Sequence, residues 1–209
     1  MLRKSTMLAL AALAFWVVPA FAQKIELSPF AGAVVPFSNV IEEEDPTFGT
    51  VELKHKVGLA FGGRVTLWTP GSLGFEGQVA YALSDVDVTV DGTKVEDCGD
   101  PCDSSIFLAA AKVMYRFGPP MGNSSFHIGG GPAILSRGGN AYEGADGTTD
   151  IGGVVNLGAS FKVGPTISIR VDAEDYLSSA KFGADGEESE SKLQNDVTLS
   201  VGAQISVGR

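Results

Sequence analysis

The chain has 209 residues, of which 44% are hydrophobic, 19% charged and 27 are glycine, enough apolar content for one domain's core or one lipid-facing band. Its formal net charge of −10 excludes nucleic acid as a natural partner, because phosphate backbones attract basic surfaces. Its two cysteines are too few to hold a zinc ion by themselves.

The N-terminus reads as an export signal. Arg3 and Lys4 form a basic start, Met7 to Val18 is almost wholly apolar, and Ala20-Phe21-Ala22 is a small-x-small cleavage pattern. This predicts a signal peptide over 1–22 and a mature domain over 23–209 that begins at Gln23 and carries 13 bases against 25 acids, a net charge of −12. No later stretch approaches the roughly 20 apolar residues that a spanning helix needs. A membrane location would therefore require a closed β-barrel, since lipid leaves no backbone polar group a partner outside the sheet.

Eight β-like segments follow, near 24–37, 51–69, 73–90, 105–118, 124–136, 151–163, 166–177 and 195–207. The second places Val51, Leu53, Val57, Leu59, Phe61, Val65 and Leu67 on odd positions against Glu52, Lys54, Lys56, Arg64 and Thr66 on even ones. The third sets Leu73, Phe75, Val79, Tyr81 and Leu83 against Glu76, Gln78 and Ser84. The sixth, seventh and eighth alternate in the same way, as in Ile167, Ile169, Val171 and Ala173 against Ser168, Arg170, Asp172 and Glu174. A period of two gives one apolar and one polar face. The first and fifth segments are less regular: Pro29, Pro36 and Pro132 weaken their ladders, and Gly129-Gly130-Gly131 leaves the face open.

The connections alternate long and short. Long ones span roughly 38–50, 91–104, 137–150 and 178–194; short ones are 69–72, 119–123 and 164–165. All long loops therefore fall at one end of an antiparallel barrel. They hold 16 of the 25 acids and only four bases, Lys94, Arg137, Lys181 and Lys192. Cys98 and Cys102 lie four apart in one of these loops and are expected to form a small disulfide in an exported protein.

Alternation alone also fits a soluble lipocalin-like barrel turned the other way, with its apolar face inside. Three features favour the membrane: the loop asymmetry, the acidic loops beside uncharged turns, and the aromatic positions. Phe75, Tyr115, Phe117 and Phe161 lie on the apolar face near the short turns, and Tyr81 and Phe107 further up, as interfacial girdles do. The predicted fold is all-β, an eight-stranded antiparallel up-and-down transmembrane barrel. Its polar face then lines an interior just wide enough for side chains to fill, where charges must pair. The expected interior network is Arg64, Lys112, Arg116, Lys162 and Arg170 with Glu76, Gln78, Asp172 and Glu174. If the turn at 69–72 keeps both apolar faces on one side, Arg64 opposes Glu76 or Gln78. The result is a salt-bridged plug, not an open pore.

Several stretches together resemble the small outer-membrane barrel family that includes OmpA-like transmembrane domains and porin-family barrels. They are Leu27-Ser28-Pro29-Phe30-Ala31-Gly32, Gly62-Gly63-Arg64-Val65, Phe75-Glu76-Gly77-Gln78, His127-Ile128-Gly129-Gly130-Gly131, and Ile169 to Tyr176. The resemblance covers the whole mature chain. It implies export to the bacterial outer membrane, contact with outer-membrane lipid, insertion by the barrel-assembly machinery and no enzymatic activity. Such barrels commonly end on an aromatic residue, whereas this chain ends Ile205-Ser206-Val207-Gly208-Arg209. No periplasmic domain follows, so tethering to peptidoglycan through this chain is not expected.

A lipid-acting barrel enzyme would need a Ser/His/acid grouping. His55 sits between Lys54 and Lys56, and His127 follows Ser124 and Ser125, but neither has an acid at a telling spacing. The acidic runs Glu42-Glu43-Glu44-Asp45 and Asp185-Gly186-Glu187-Glu188, and Asp85, Asp87 and Asp91, complete no calcium-loop pattern. No cofactor or metal is expected. The second and third segments exceed the 9–11 residues needed to span a membrane, which predicts a two-stranded fin able to pair with an extracellular partner through its edge. The expected function is envelope structure or surface interaction by a monomer; the alternatives are a lipid-acting enzyme and a soluble periplasmic carrier.

Overall fold

A computed structural model describes residues 24–37, 41–45, 49–90, 93–94, 103–118, 122–140, 149–180 and 192–207. The signal segment, Cys98 and Cys102 lie outside them. Among the described residues eleven strands form, in chain order: β1 (Lys24–Pro36), β2 (Ile41–Asp45), β3 (Gly49–His55), β4 (Gly58–Trp68), β5 (Leu73–Val90), β6 (Thr93–Lys94), β7 (Asp103–Phe117), β8 (Ser124–Gly138), β9 (Thr149–Lys162), β10 (Ile167–Ala180) and β11 (Lys192–Val207). Eight of them, β1, β4, β5, β7, β8, β9, β10 and β11, pair antiparallel in a ring that the β5–β7 ladder closes.

The register fixes the shape of the ring. Opposed residues lead from Lys24 through Trp68, Gly74, Met114, Gly129, Asn156, Glu174 and Thr198 back to Val34 on β1. The circuit returns ten residues from where it began. With about 3.3 Å per residue and 4.8 Å between strands, eight strands with that stagger tilt by roughly 40°. Pro29 and Pro132 stay within their strands, and each coincides with a gap in one ladder: β1–β11 skips 28–29 and β7–β8 skips 111–112, with no change of register across either gap.

The outward face is apolar. Phe61, Val79, Leu83, Val113, Val155, Leu157, Leu199 and Val201 are all about half exposed or more. Phe75, Tyr115, Phe117, Phe126 and Phe161 gather toward the short turns, with the Tyr115 and Phe117 rings 4.8 Å apart. Further up, Phe61 and Tyr81 lie 5.9 Å apart, and Phe107 opposes Tyr81. An apolar surface encircling a barrel whose inside holds buried Arg, Lys, Glu and Asp is the reverse of a soluble barrel, and only lipid outside makes it favourable.

The second and third segments depart from the sequence reading. The expected second segment is two strands. His55 opposes Val86 and Leu59 opposes Leu83, so residues 56–58 face only 84–85. This is a β-bulge, held by Lys56 N donating to Asp85 O (2.8 Å) and Ser84 Oγ donating to Lys56 O (2.7 Å). The extra residue shifts the parity: Leu59, Phe61 and Val65 face outward, but Val51, Leu53 and His55 pair with Val90, Val88 and Val86, the parity that faces the lumen lower down β5. The single apolar face read from Val51 to Leu67 is therefore corrected at the bulge. The expected two-stranded fin is larger too. The acidic run at 41–45 forms β2, so the extension above the rim has the strand order β2-β3-β5-β6.

Arginine introduced at Val79, an outward position in the apolar band, is expected to cost about 2–4 kcal/mol, read as a lowered urea midpoint for unfolding from phospholipid vesicles.

Candidate functional site

The lumen is filled in tiers by the inward positions of the eight strands. The middle tier is ionic. Arg64, on β4, lies opposite Gln78 on β5 and donates through Nε to its Oε1 (2.7 Å). The same guanidinium reaches Glu174 (3.1 Å), Ser200 Oγ (2.9 Å) and Asp172 (3.3 Å), and stacks 3.8 Å from the Phe30 ring centroid. Lys112 on β7 contacts Glu76 (2.8 Å), Gln78 (2.7 Å) and Glu174. Arg170 on β10 forks between Glu76 (2.6 and 3.2 Å) and Asp172 (2.8 and 2.9 Å). Three cations thus face three carboxylates, and each of the six side chains is at most 2% exposed. Balanced, multiply hydrogen-bonded geometry is what makes buried charge tolerable.

His127 joins this tier, although no acid lies near it in sequence. Its Nε2 lies 2.7 Å from Asp172 Oδ1. With Asp172 also receiving Arg170 and Asn156 Nδ2 (3.0 Å), the carboxylate accepts and the imidazole donates. Gly158 makes the contact possible: it opposes His127 on β8 and Asp172 on β10, and a Cβ there would collide with both side chains. Ser160 donates to Gln204 (2.6 Å).

Above the ionic tier lies an apolar one that the sequence reading did not anticipate: Phe30, Val34, Ala60, Ala80, Ala82, Ile106, Leu108, Ala133, Leu135, Val154 and Tyr176, all buried. The Tyr176 hydroxyl reaches down to accept from Gln78 Nε2 (2.8 Å). At the long-loop rim Arg137 binds Asp196 (3.0 Å) and Asp150. Arg137 and Asp150, read from sequence as loop residues, are buried strand residues.

At the short-turn end Glu26 accepts from Trp68 Nε1 (2.6 Å) and Gln204 Nε2 and pairs with Lys24 (2.6 Å). Arg116 lies 4.4 Å over the Trp68 ring and 3.9 Å from Glu26. Of the nine residues expected to form one network, the structure brings together Arg64, Glu76, Gln78, Lys112, Arg170, Asp172 and Glu174. Arg116 belongs to the lower tier, and Lys162 is exposed at the mouth. The network members missed from sequence, His127, Asn156, Thr66, Ser200 and Tyr176, all occupy the inward parity of their strands. Among the described residues, no group of three or more His, Cys, Asp or Glu side chains could hold a metal ion.

A closed antiparallel ring with lipid-facing apolar side chains and a charged interior defines a barrel of outer-membrane type. The family model described as "Outer membrane protein beta-barrel domain" matches residues 8–205, and the chain belongs to that family. Its fold is similar to that of OprG from Pseudomonas aeruginosa (TM-score 0.64, 14% identity, 90% of this chain and 98% of that one). It is similar also to AlkL in lipid bilayers (0.62, 12%, 90% and 92%) and to outer membrane protein W of E. coli (0.51, 13%, 90% and 99%). No curated protein matches it in sequence.

Arg170→Met strands the Glu76 and Asp172 charges and is expected to cost about 3–5 kcal/mol, whereas Lys162→Met at the exposed mouth should stay within about 0.5 kcal/mol; urea titration of both variants checks the contrast. Gly158→Ala should cost about 1–3 kcal/mol by overpacking and part the imidazole from Asp172, read as a shift of the His127 ring nitrogen resonances.

Proposed function

We infer that this protein is exported by cleavage after Ala22, is inserted by the barrel-assembly machinery and serves as a non-enzymatic, monomeric wall element of the outer membrane that presents a strand platform to the cell's surroundings. The observation that carries this reading is the pairing of a filled lumen with an extended strand. β5 pairs with β7 only over 73–85, and its last five residues run on beside β3, the final two of them also pairing with β6. A lumen filled by side chains supports a structural role over a solute pathway. The burial of His127 against Asp172 within the ionic tier speaks against lipid hydrolysis at that histidine. The β2 edge offers backbone groups to an extended partner, and the acidic composition of 41–45 favours a basic one.

Cells producing the chain with 41–55 deleted should retain a heat-modifiable barrel in the outer membrane, because the barrel ring does not use β2 or β3, and should lose most surface adhesion relative to the full chain. Unchanged adhesion by a correctly inserted deletion variant would remove the surface-interaction role.

A further inference from the structure

The lower mouth of the barrel differs in charge from the rest of the molecule. A cavity of about 90 Å³ opens there. Lys24, Arg116 and Lys162 line it, together with the hydroxyl-bearing Ser160, Ser168 and Ser206. Four of these, Lys162, Ser160, Ser168 and Ser206, lie on the lumen-facing parity of β9, β10 and β11. The carboxylate beside this cluster, Glu26, is already engaged by Trp68, Gln204 and Lys24. Arg116 is held over the Trp68 ring and stands 3.9 Å from that carboxylate. Lys162 makes no side-chain hydrogen bond or ion pair among the described residues; its backbone N–H is bonded to Asn123 O. The strands therefore gather three cations and the Ser168 and Ser206 hydroxyls around one acid, in a chain whose overall charge is −10.

We propose that this mouth binds a phosphate group, with Lys162 and Lys24 supplying point charges, Arg116 a guanidinium donor and the Ser168 and Ser206 hydroxyls the remaining hydrogen bonds. The donor set fits a tetrahedral oxyanion, which accepts along several directions at once. At the short-turn end, the phosphate has two sources: the headgroup of a phospholipid in the adjoining leaflet, or a soluble phosphate compound. The site owes nothing to the platform above the opposite rim, so its test is independent of the surface role.

The test uses the full mature chain refolded in phosphate-free maltoside micelles, titrated with inorganic phosphate and followed through the backbone amide resonances of Ser160, Lys162 and Ser206. The expected result is a saturable shift at these positions, weakened at least tenfold in Lys162→Gln and restored in Lys162→Arg. Lys56→Gln, at the far rim, should leave it unchanged. Heat-modifiable mobility establishes that each variant is folded. The same titration in nanodiscs separates the sources. A headgroup occupant leaves the amides already shifted in phosphatidylglycerol discs and suppresses the response to added phosphate, while a soluble occupant leaves the titration as in micelles. Absence of a saturable shift, equal binding by folded Lys162→Gln, or equal weakening by Lys56→Gln would each overturn the proposal.

Discussion

Everything in this structure follows from the need to pair every backbone N–H and C=O where no water can reach them. A flat sheet of these strands would leave two edges open in lipid. The β5–β7 ladder removes them, and the ten-residue stagger of the closed ring then sets its width. That width admits side chains and little else, so every inward position is a packing decision. Large residues face glycines across the ladder. A Cβ on Gly62 would meet the Val79 carbonyl and the Phe30 ring, one on Gly74 the Trp68 ring, and one on Gly129 the Met114 thioether. At Gly74 and Gly129 the missing side chain leaves the space into which the Trp68 ring and the Met114 thioether pack.

The same narrowness concentrates charge. Arg64, Lys112 and Arg170 could not be buried singly, because desolvation of each would exceed any one hydrogen bond's return. Together with Glu76, Asp172 and Glu174 they neutralise one another, and Gln78, Thr66, Tyr176 and Asn156 occupy further donor and acceptor positions. The apolar tier above keeps water from this layer, which strengthens each interaction within it. Ionic middle and apolar cap thus reinforce one another: one ties together strands on opposite sides of the ring, the other preserves the low dielectric that makes the ties effective.

The two ends are built for different surroundings. At the upper rim the bulge at 56–58 changes the parity of β3 against β5, at the level where outward apolar residues such as Leu59 and Leu83 give way to the Lys56–Asp85 pair (3.7 Å). A strand leaving lipid no longer needs an apolar outer face, and one inserted residue makes that change without breaking the sheet. The lower end has tight turns, closed for instance by Thr69 N and Oγ1 both donating to Leu73 O, and it collects bases where the other end has acids.

The sequence alone determined the class of fold, because a period of two reports the environments on either side of a strand without reference to its partners. The parity of Arg64, Glu76, Lys112, Arg170, Asp172 and Glu174 placed them inside, and the short turn at 69–72 narrowed Arg64 to two neighbours. β2 escaped notice because four consecutive acids carry little strand propensity, and the bulge because Lys56-Val57-Gly58 preserves the apparent odd-position pattern through Val57. Only closure decided the rest. Glu76 and Arg170 are separated by 94 residues and His127 and Asp172 by 45; no local pattern relates them, and they meet because the stagger of eight strands brings their levels together. The apolar tier was hidden for a related reason: alanine is at home on either face, so Ala60, Ala80, Ala82 and Ala133 become a core only when the ring sets them beside Ile106, Leu108 and Leu135.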